Sequence, residues 1–141
     1  MEKMKNEFKT KVYYSDTDAY GVVWHGSYLR WLEMGRCNFS SQYGLDLKKL
    51  QENDIVLPVV EINVRYKYSA RLDDELSIET TINDISATAM IFKQVIKTVP
   101  EGRTCIEAKV KVVTINNNGI LYKRLPQVLV QAFSPKEEAN V

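Results

Sequence analysis

Between residues 16 and 33 the chain places two aspartates, its only histidine and a glutamate in "DTDAYGVVWHGSYLRWLE". A free aspartate has a pKa of about 3.9 and is ionised at neutral pH, fit to attack a carbon or activate water, which makes Asp16 and Asp18 candidates. A helical spacing begins near His25, and a helix start carries unpaired backbone N–H groups and the positive end of the helix dipole. Such amides can hold the oxygen of a polarised carbonyl while negative charge develops on it. Gly21 allows the sharp turn that brings a carboxylate beside His25 and Gly26. A carboxylate and an oxyanion site are two of the parts acyl transfer requires. Spacing alone leaves a second reading open. Aspartate before a helix is commonly a cap or turn residue, and a lone histidine is commonly packed or solvated. Asp16 fits the turn role, and Glu33 fits an i,i+3 ion pair with Arg36.

The elements that must position these groups are visible as changes of period. Phe8, Thr10, Val12 and Tyr14 alternate, which predicts a strand that "SDTDAYG" breaks. From Ser27 to Tyr43 the apolar positions Tyr28, Leu32, Gly35 and Phe39 follow i, i+4, i+7 and i+11, with Trp31 and Met34 beside them. That predicts a helix with Ser27 as N-cap, ending near Gly44, and apolar over so much of its surface that it should be wrapped. Gly35, at mid-helix, implies that a neighbouring backbone or a ligand comes close on that side. The remainder reads as β: "LPVVEINVRYKYSA", "ELSIETTIND", "TAMIFKQVIKTV" and "TCIEAKVKVVTIN", with turns at "RLDD" and "PEGR". "NNNG" predicts a hairpin into a short strand "ILYKRL", Pro126 opens a helical turn "PQVLVQAF", and residues 135–141 form a frayed tail. One early helix followed by consecutive strands predicts a single α+β domain over residues 1–141, with an antiparallel sheet curled around the helix. The long sheet edges call for a second subunit, hence a homodimer.

Composition narrows the function. With 19 basic and 18 acidic residues the net charge is +1, which gives no electrostatic case for nucleic acid. No run approaches the ~20 apolar residues of a membrane span, and the charged start "MEKMKNEFKT" lacks the apolar core of a secretory signal. Two distant cysteines, Cys37 and Cys105, and one histidine do not make a metal site. They read as reduced thiols of a cytoplasmic protein.

The stretch "YYSDTDAYGVVWHGSYLRWLEMGR" closely resembles the signature of the 4-hydroxybenzoyl-CoA thioesterase family of hot-dog-fold proteins. "VRYKYSARLDDELSIET" and "VTINNNGILYKRLP" are similar to that family's later strand-turn-strand and last hairpin, so the resemblance spans nearly the whole chain in order. It departs at Ser69, where proline is common, and at Trp24, where tyrosine is common. The resemblance implies a hot-dog fold paired into dimers and often tetramers, and hydrolysis of acyl-CoA thioesters without metal or redox cofactor. It implies Asp18 as the catalytic carboxylate, as nucleophile or as general base, and the amide at His25 as the group polarising the carbonyl. The His25 ring would assist in positioning. Gly21, Gly26 and Glu33 would shape the oxyanion and substrate site, with Glu33 a rival to Asp18, because some members carry the carboxylate on the helix. Coenzyme A phosphates need cations, and among Arg65, Lys67, Arg71, Lys123 and Arg124 the preferred set is Arg71, Lys123 and Arg124. Two other functions remain open: an enoyl-CoA hydratase or dehydratase using the His25 imidazole, and a non-catalytic acyl-CoA-binding protein.

Overall fold

The computed structural model describes residues 4–134; the predicted frayed tail at 135–141 lies outside them. Five antiparallel strands form one sheet: β1 (Lys5–Lys11), β2 (Val59–Tyr66), β3 (Glu75–Ile85), β4 (Ala89–Val99) and β5 (Thr104–Val113), in spatial order β1-β3-β4-β5-β2. Three helices accompany them, α1 (His25–Gln42), α2 (Leu47–Glu52) and α3 (Gln127–Phe133). The long helix lies across β1, β3 and β4, the hot-dog arrangement that the resemblance implied.

Alternation decides which sheet face meets α1. Leu76 and Ile78 on β3, Phe92 and Ile96 on β4, and Ile106 and Val110 on β5 are all buried in one cluster with Trp31, Leu32 and Phe39 of the helix. Each such side chain, fully buried, contributes about 1.5–3 kcal/mol of transfer free energy, so the shared face dominates what holds helix to sheet. The register Ile78 opposite Ile96, and Ile96 opposite Ile106, keeps these residues in rows beneath the helix. Gly35 sits at the tightest point. A Cβ there would lie 2.7 Å from Ile78 Cγ2 and 3.0 Å from both Gln94 Nε2 and Thr80 Oγ1. The close neighbours are therefore side chains of β3 and β4, not the backbone approach that the sequence suggests.

Several boundaries differ from the sequence expectation. The first strand ends at Lys11, because Asp16 draws Tyr13 into a 3-10 turn at Tyr14–Asp16. The N-cap of α1 is Trp24, not Ser27, which already lies within the first turn. "ILYKRL" makes only an isolated bridge, Leu121 with Ile115, because Tyr122 is tied by its hydroxyl to the Asp54 carbonyl. The expected breadth of α1 burial is also partial. One stripe through Tyr28, Trp31, Leu32, Gly35 and Phe39 is buried, while Leu29 and Met34 stay exposed. Strand β2 is the open edge of the sheet, with Val60 54% and Ile62 40% exposed. No helix of the described residues is long and apolar enough to cross a membrane.

Candidate active site at the start of helix α1

The two aspartates, two residues apart, have opposite surroundings. Asp16 is buried, at 2% exposure. Its carboxylate accepts from the Tyr13 N–H at 3.0 Å and from the Arg30 guanidinium, and its carbonyl accepts from the Trp24 N–H at 2.8 Å. With its acceptors engaged and no access to solvent, it fastens the turn to the helix start. Asp18 is half-buried. Its N–H donates to the Val22 carbonyl, its carbonyl accepts from the Gly21 N–H, and Oδ1 accepts from the Tyr20 N–H at 2.8 Å. These bonds leave Oδ2 without a partner among the described residues. Gly21, at φ +77°, supplies the left-handed conformation that closes this turn, which a side chain would strain.

Bridges from Thr17 to Val23 and from Val22 to Arg71 carry the chain from the turn into the helix. The first two amides of α1, His25 and Gly26, donate to no acceptor among the described residues, whereas Ser27 N–H already reaches the Trp24 carbonyl. They are the unpaired donors expected of a helix start, and they follow the Asp18 turn directly. The half-exposed Trp24 indole lies over Gly26, so a Cβ there would fall inside the ring. Its ring centroid is 5.0 Å from that of the exposed His25 imidazole. Sequence reasoning missed Tyr66, whose hydroxyl donates to the His25 carbonyl at 3.3 Å from the end of β2. Tyr28 and Trp31 are core. The buried Tyr28 hydroxyl accepts from the Ala70 N–H at 3.0 Å, and burial pushes its pKa up to about 12.

Glu33 stands apart, roughly 12 Å along the helix from His25 at 1.5 Å per residue. The expected Glu33–Arg36 ion pair does not form; Arg36 instead donates to the Gln94 amide oxygen at 3.0 Å. Both residues flank a groove of about 780 Å³ between α1, α2 and the N-terminal end of β2, floored by Phe92 and Val112. A second hollow of about 490 Å³, on the sheet face away from α1, is lined largely by charges such as Arg65, Lys93, Lys109 and Glu107, a poor match for an apolar group.

The three cations preferred for phosphate do not meet within one chain. Arg71 is exposed beside the Asp18 turn, through its bridge to Val22. Lys123 and Arg124 are exposed at the other end of the sheet, just after Tyr122 docks on Thr114 and Asp54. Lys67 is engaged with Glu107 at 3.2 Å. Among the described residues no cluster of side chains is able to hold a metal ion.

Comparison with known proteins gives a consistent result. Residues 12–133 match the thioesterase-like superfamily. The chain is 34% identical over 123 residues to the acyl-CoA thioester hydrolase YbgC of Escherichia coli O6:H1, covering 87% of this chain and 91% of that one. It is 31% identical over 96 residues to the 4-hydroxybenzoyl-CoA thioesterase of Pseudomonas sp. strain CBS-3, 65% of this chain and 68% of the other. The solved structure of that Pseudomonas enzyme superposes with a TM-score of 0.82 over 92% of this chain and 99% of its own, at 24% identity, a likeness of fold. The chain thus belongs to the thioesterase-like superfamily, and within it to the 4-hydroxybenzoyl-CoA thioesterase family of hot-dog proteins.

Proposed function

We propose that this protein hydrolyses an acyl-CoA thioester to the free acid and coenzyme A. The observation that carries this reading is the free Oδ2 of Asp18 on the turn that leads into the unpaired His25 and Gly26 amides. A thioester oxygen accepting from those amides becomes a better-stabilised oxyanion as its carbon is attacked. Asp18 then acts in one of two ways. It adds to the carbonyl carbon and expels the CoA thiolate, leaving a mixed anhydride that water opens, or it takes a proton from a water that adds directly. The His25 side chain is solvent-facing and packs on Trp24, which suits a positioning role. Within one chain Glu33 is too far along the helix to reach the same carbonyl.

The working unit is a homodimer joined through the β2 edges. Ile62 and Tyr66 project on the α1 side of that edge, exposed and apolar, and the outward backbone groups of β2 lack a neighbouring strand. Tyr66 and the catalytic turn lie at one end of β2; the groove and the Lys123–Arg124 pair lie at the other. Antiparallel pairing about a two-fold axis would therefore set each groove, and each Lys123–Arg124 pair, beside the catalytic turn and Arg71 of the other subunit. That union would supply the acyl pocket and phosphate-binding cations that one chain keeps apart. Two unpaired thiols, exposed Cys37 and buried Cys105, suit a reducing cytoplasm.

The test is thiol release over short, long and aromatic acyl-CoAs with wild type and Asp18→Asn. Turnover should fall by at least two orders of magnitude in the variant, with its circular dichroism and oligomeric mass unchanged. Undiminished turnover removes Asp18 from the mechanism.

A further inference from the structure

The groove has an apolar floor, but Arg36, Glu33, Asp46 and Lys48 also line it, and of these only Arg36 is half-buried, the others being exposed. Arg36 lies in its wall on α1; burial lowers its pKa, the Glu33 carboxylate partly offsets this, and no carboxylate comes within ion-pair distance among the described residues. Its position is fixed from behind. Gln94 reaches up from β4 into the space that Gly35 leaves and donates Nε2 to the Leu32 carbonyl at 2.9 Å and to Thr80 Oγ1 at 3.0 Å. Those two bonds orient the amide, so Oε1 faces the guanidinium and accepts from it at 3.0 Å. One of five N–H donors is thereby used to aim the fork, and the others have no described acceptor. Glu33, on the same helix flank, is exposed to water and does not approach within ion-pair distance. Desolvating a guanidinium is costly unless an anion compensates it, and a planar fork suits a carboxylate better than any neutral group.

We propose that Arg36, held by Gln94, recognises the far end of the acyl group, and that the preferred substrates are CoA thioesters whose acyl chain ends in a carboxylate. This rests on the thioesterase reading and on the groove as the acyl pocket. The apolar floor of Phe92 and Val112 takes the methylene chain, and the terminal carboxylate accepts from the free edge of the guanidinium. Water then splits the thioester at the other end, releasing a dicarboxylic acid and coenzyme A. A plain alkyl chain in the same groove would leave the guanidinium with Gln94 as its only described acceptor and no anion against it.

The test compares chains of equal carbon number, adipyl-CoA against hexanoyl-CoA and sebacyl-CoA against decanoyl-CoA, in a thiol-release assay on the full chain. Wild type should favour at least one carboxylate-ended member by tenfold or more in kcat/KM, mainly through KM. Arg36→Met should abolish or reverse that preference, read as the ratio of kcat/KM values within each pair. Calorimetry of the same pairs on Asp18→Asn reads the preference without turnover. Absence of hydrolysis by the wild type, with the binding preference intact, overturns the thioesterase reading alone. Equal or weaker affinity of wild type and Asp18→Asn for both carboxylate-ended members overturns this proposal, and that comparison stands even if Arg36→Met fails to fold.

Discussion

Gly35→Ala would in most helices be a gain, because alanine is better than glycine in a helix interior by about 0.8–1.0 kcal/mol. Here the added Cβ meets Ile78 Cγ2 at 2.7 Å and the polar ends of Gln94 and Thr80 at 3.0 Å. Ile78 is β-branched, fully buried and set in mid-strand, so its methyl group has little freedom to rotate away. Overpacking of this kind costs about 1–3 kcal/mol. If Gln94 yields instead, its amide gives up bonds to Leu32 and Thr80, each worth about 1 kcal/mol net. Setting either cost against the helix gain leaves a net loss of up to about 2 kcal/mol. For a chain of this size the melting temperature should drop by up to roughly 6 °C. Calorimetric or circular-dichroism melts measure it directly. Gln94→Ala added to Gly35→Ala should cost less than the sum of the two single changes, because the pair shares one contact. A melting temperature at or above wild type would refute the packing argument.

Asp16→Asn should lower stability by about 2–3 kcal/mol in urea unfolding: the Arg30 ion pair is lost, although Arg30 is partly exposed and so partly screened. A variant as stable as wild type would show that Asp16 does not fasten the turn. Alkaline stability should decline between about pH 9 and 12. Burial raises Cys105 from 9.0 to about 11 and Tyr28 from 10.0 to about 12, so in that window the unfolded chain loses protons that the fold retains. Stability unchanged from pH 8 to 12 would contradict the burial of both groups. Ile62→Glu on the β2 edge should shift light-scattering mass from dimer toward monomer and reduce turnover together; a wild-type protein that is monomeric at micromolar concentration would refute the two-chain site.

Long elements were legible because their side chains repeat. The spacing Tyr28, Leu32, Gly35, Phe39 marks α1, and alternation through Ile106, Ala108 and Val110 marks β5. Elements held by particular polar contacts were not. α2 has six residues, too few for a period, and is announced only by Asp46, whose carboxylate accepts from the Lys49 N–H. The end of β1 was misplaced because alternation runs on through Val12 and Tyr14, while the Asp16 carboxylate bends the chain at Tyr13. At the site, "DTDAYG" before a helix marked a carboxylate turn, but only coordinates separate buried Asp16 from available Asp18. The Arg36–Gln94 contact had a faint signal, a glutamine on the buried face of "MIFKQVIK" between Phe92 and Ile96. Its partner, on another element far along the chain, had none.

The strand order β1-β3-β4-β5-β2 also has a consequence in time. β3, β4 and β5 are joined by short turns and can zip as consecutive hairpins, whereas β2 precedes them in the chain and pairs only with β5, as in Val59 opposite Val112. Closing so long a loop is slow, so the Val- and Ile-rich β2 segment must wait until the last strand exists. Pulse-labelled hydrogen exchange during refolding should show β3–β5 amides protected before those of β2. Simultaneous protection would exclude this order. The strand that waits is also the one carrying Tyr66, so the brace on the His25 carbonyl would be among the last contacts to form, and compact, sheet-containing chains would exist for a time before any of them is competent.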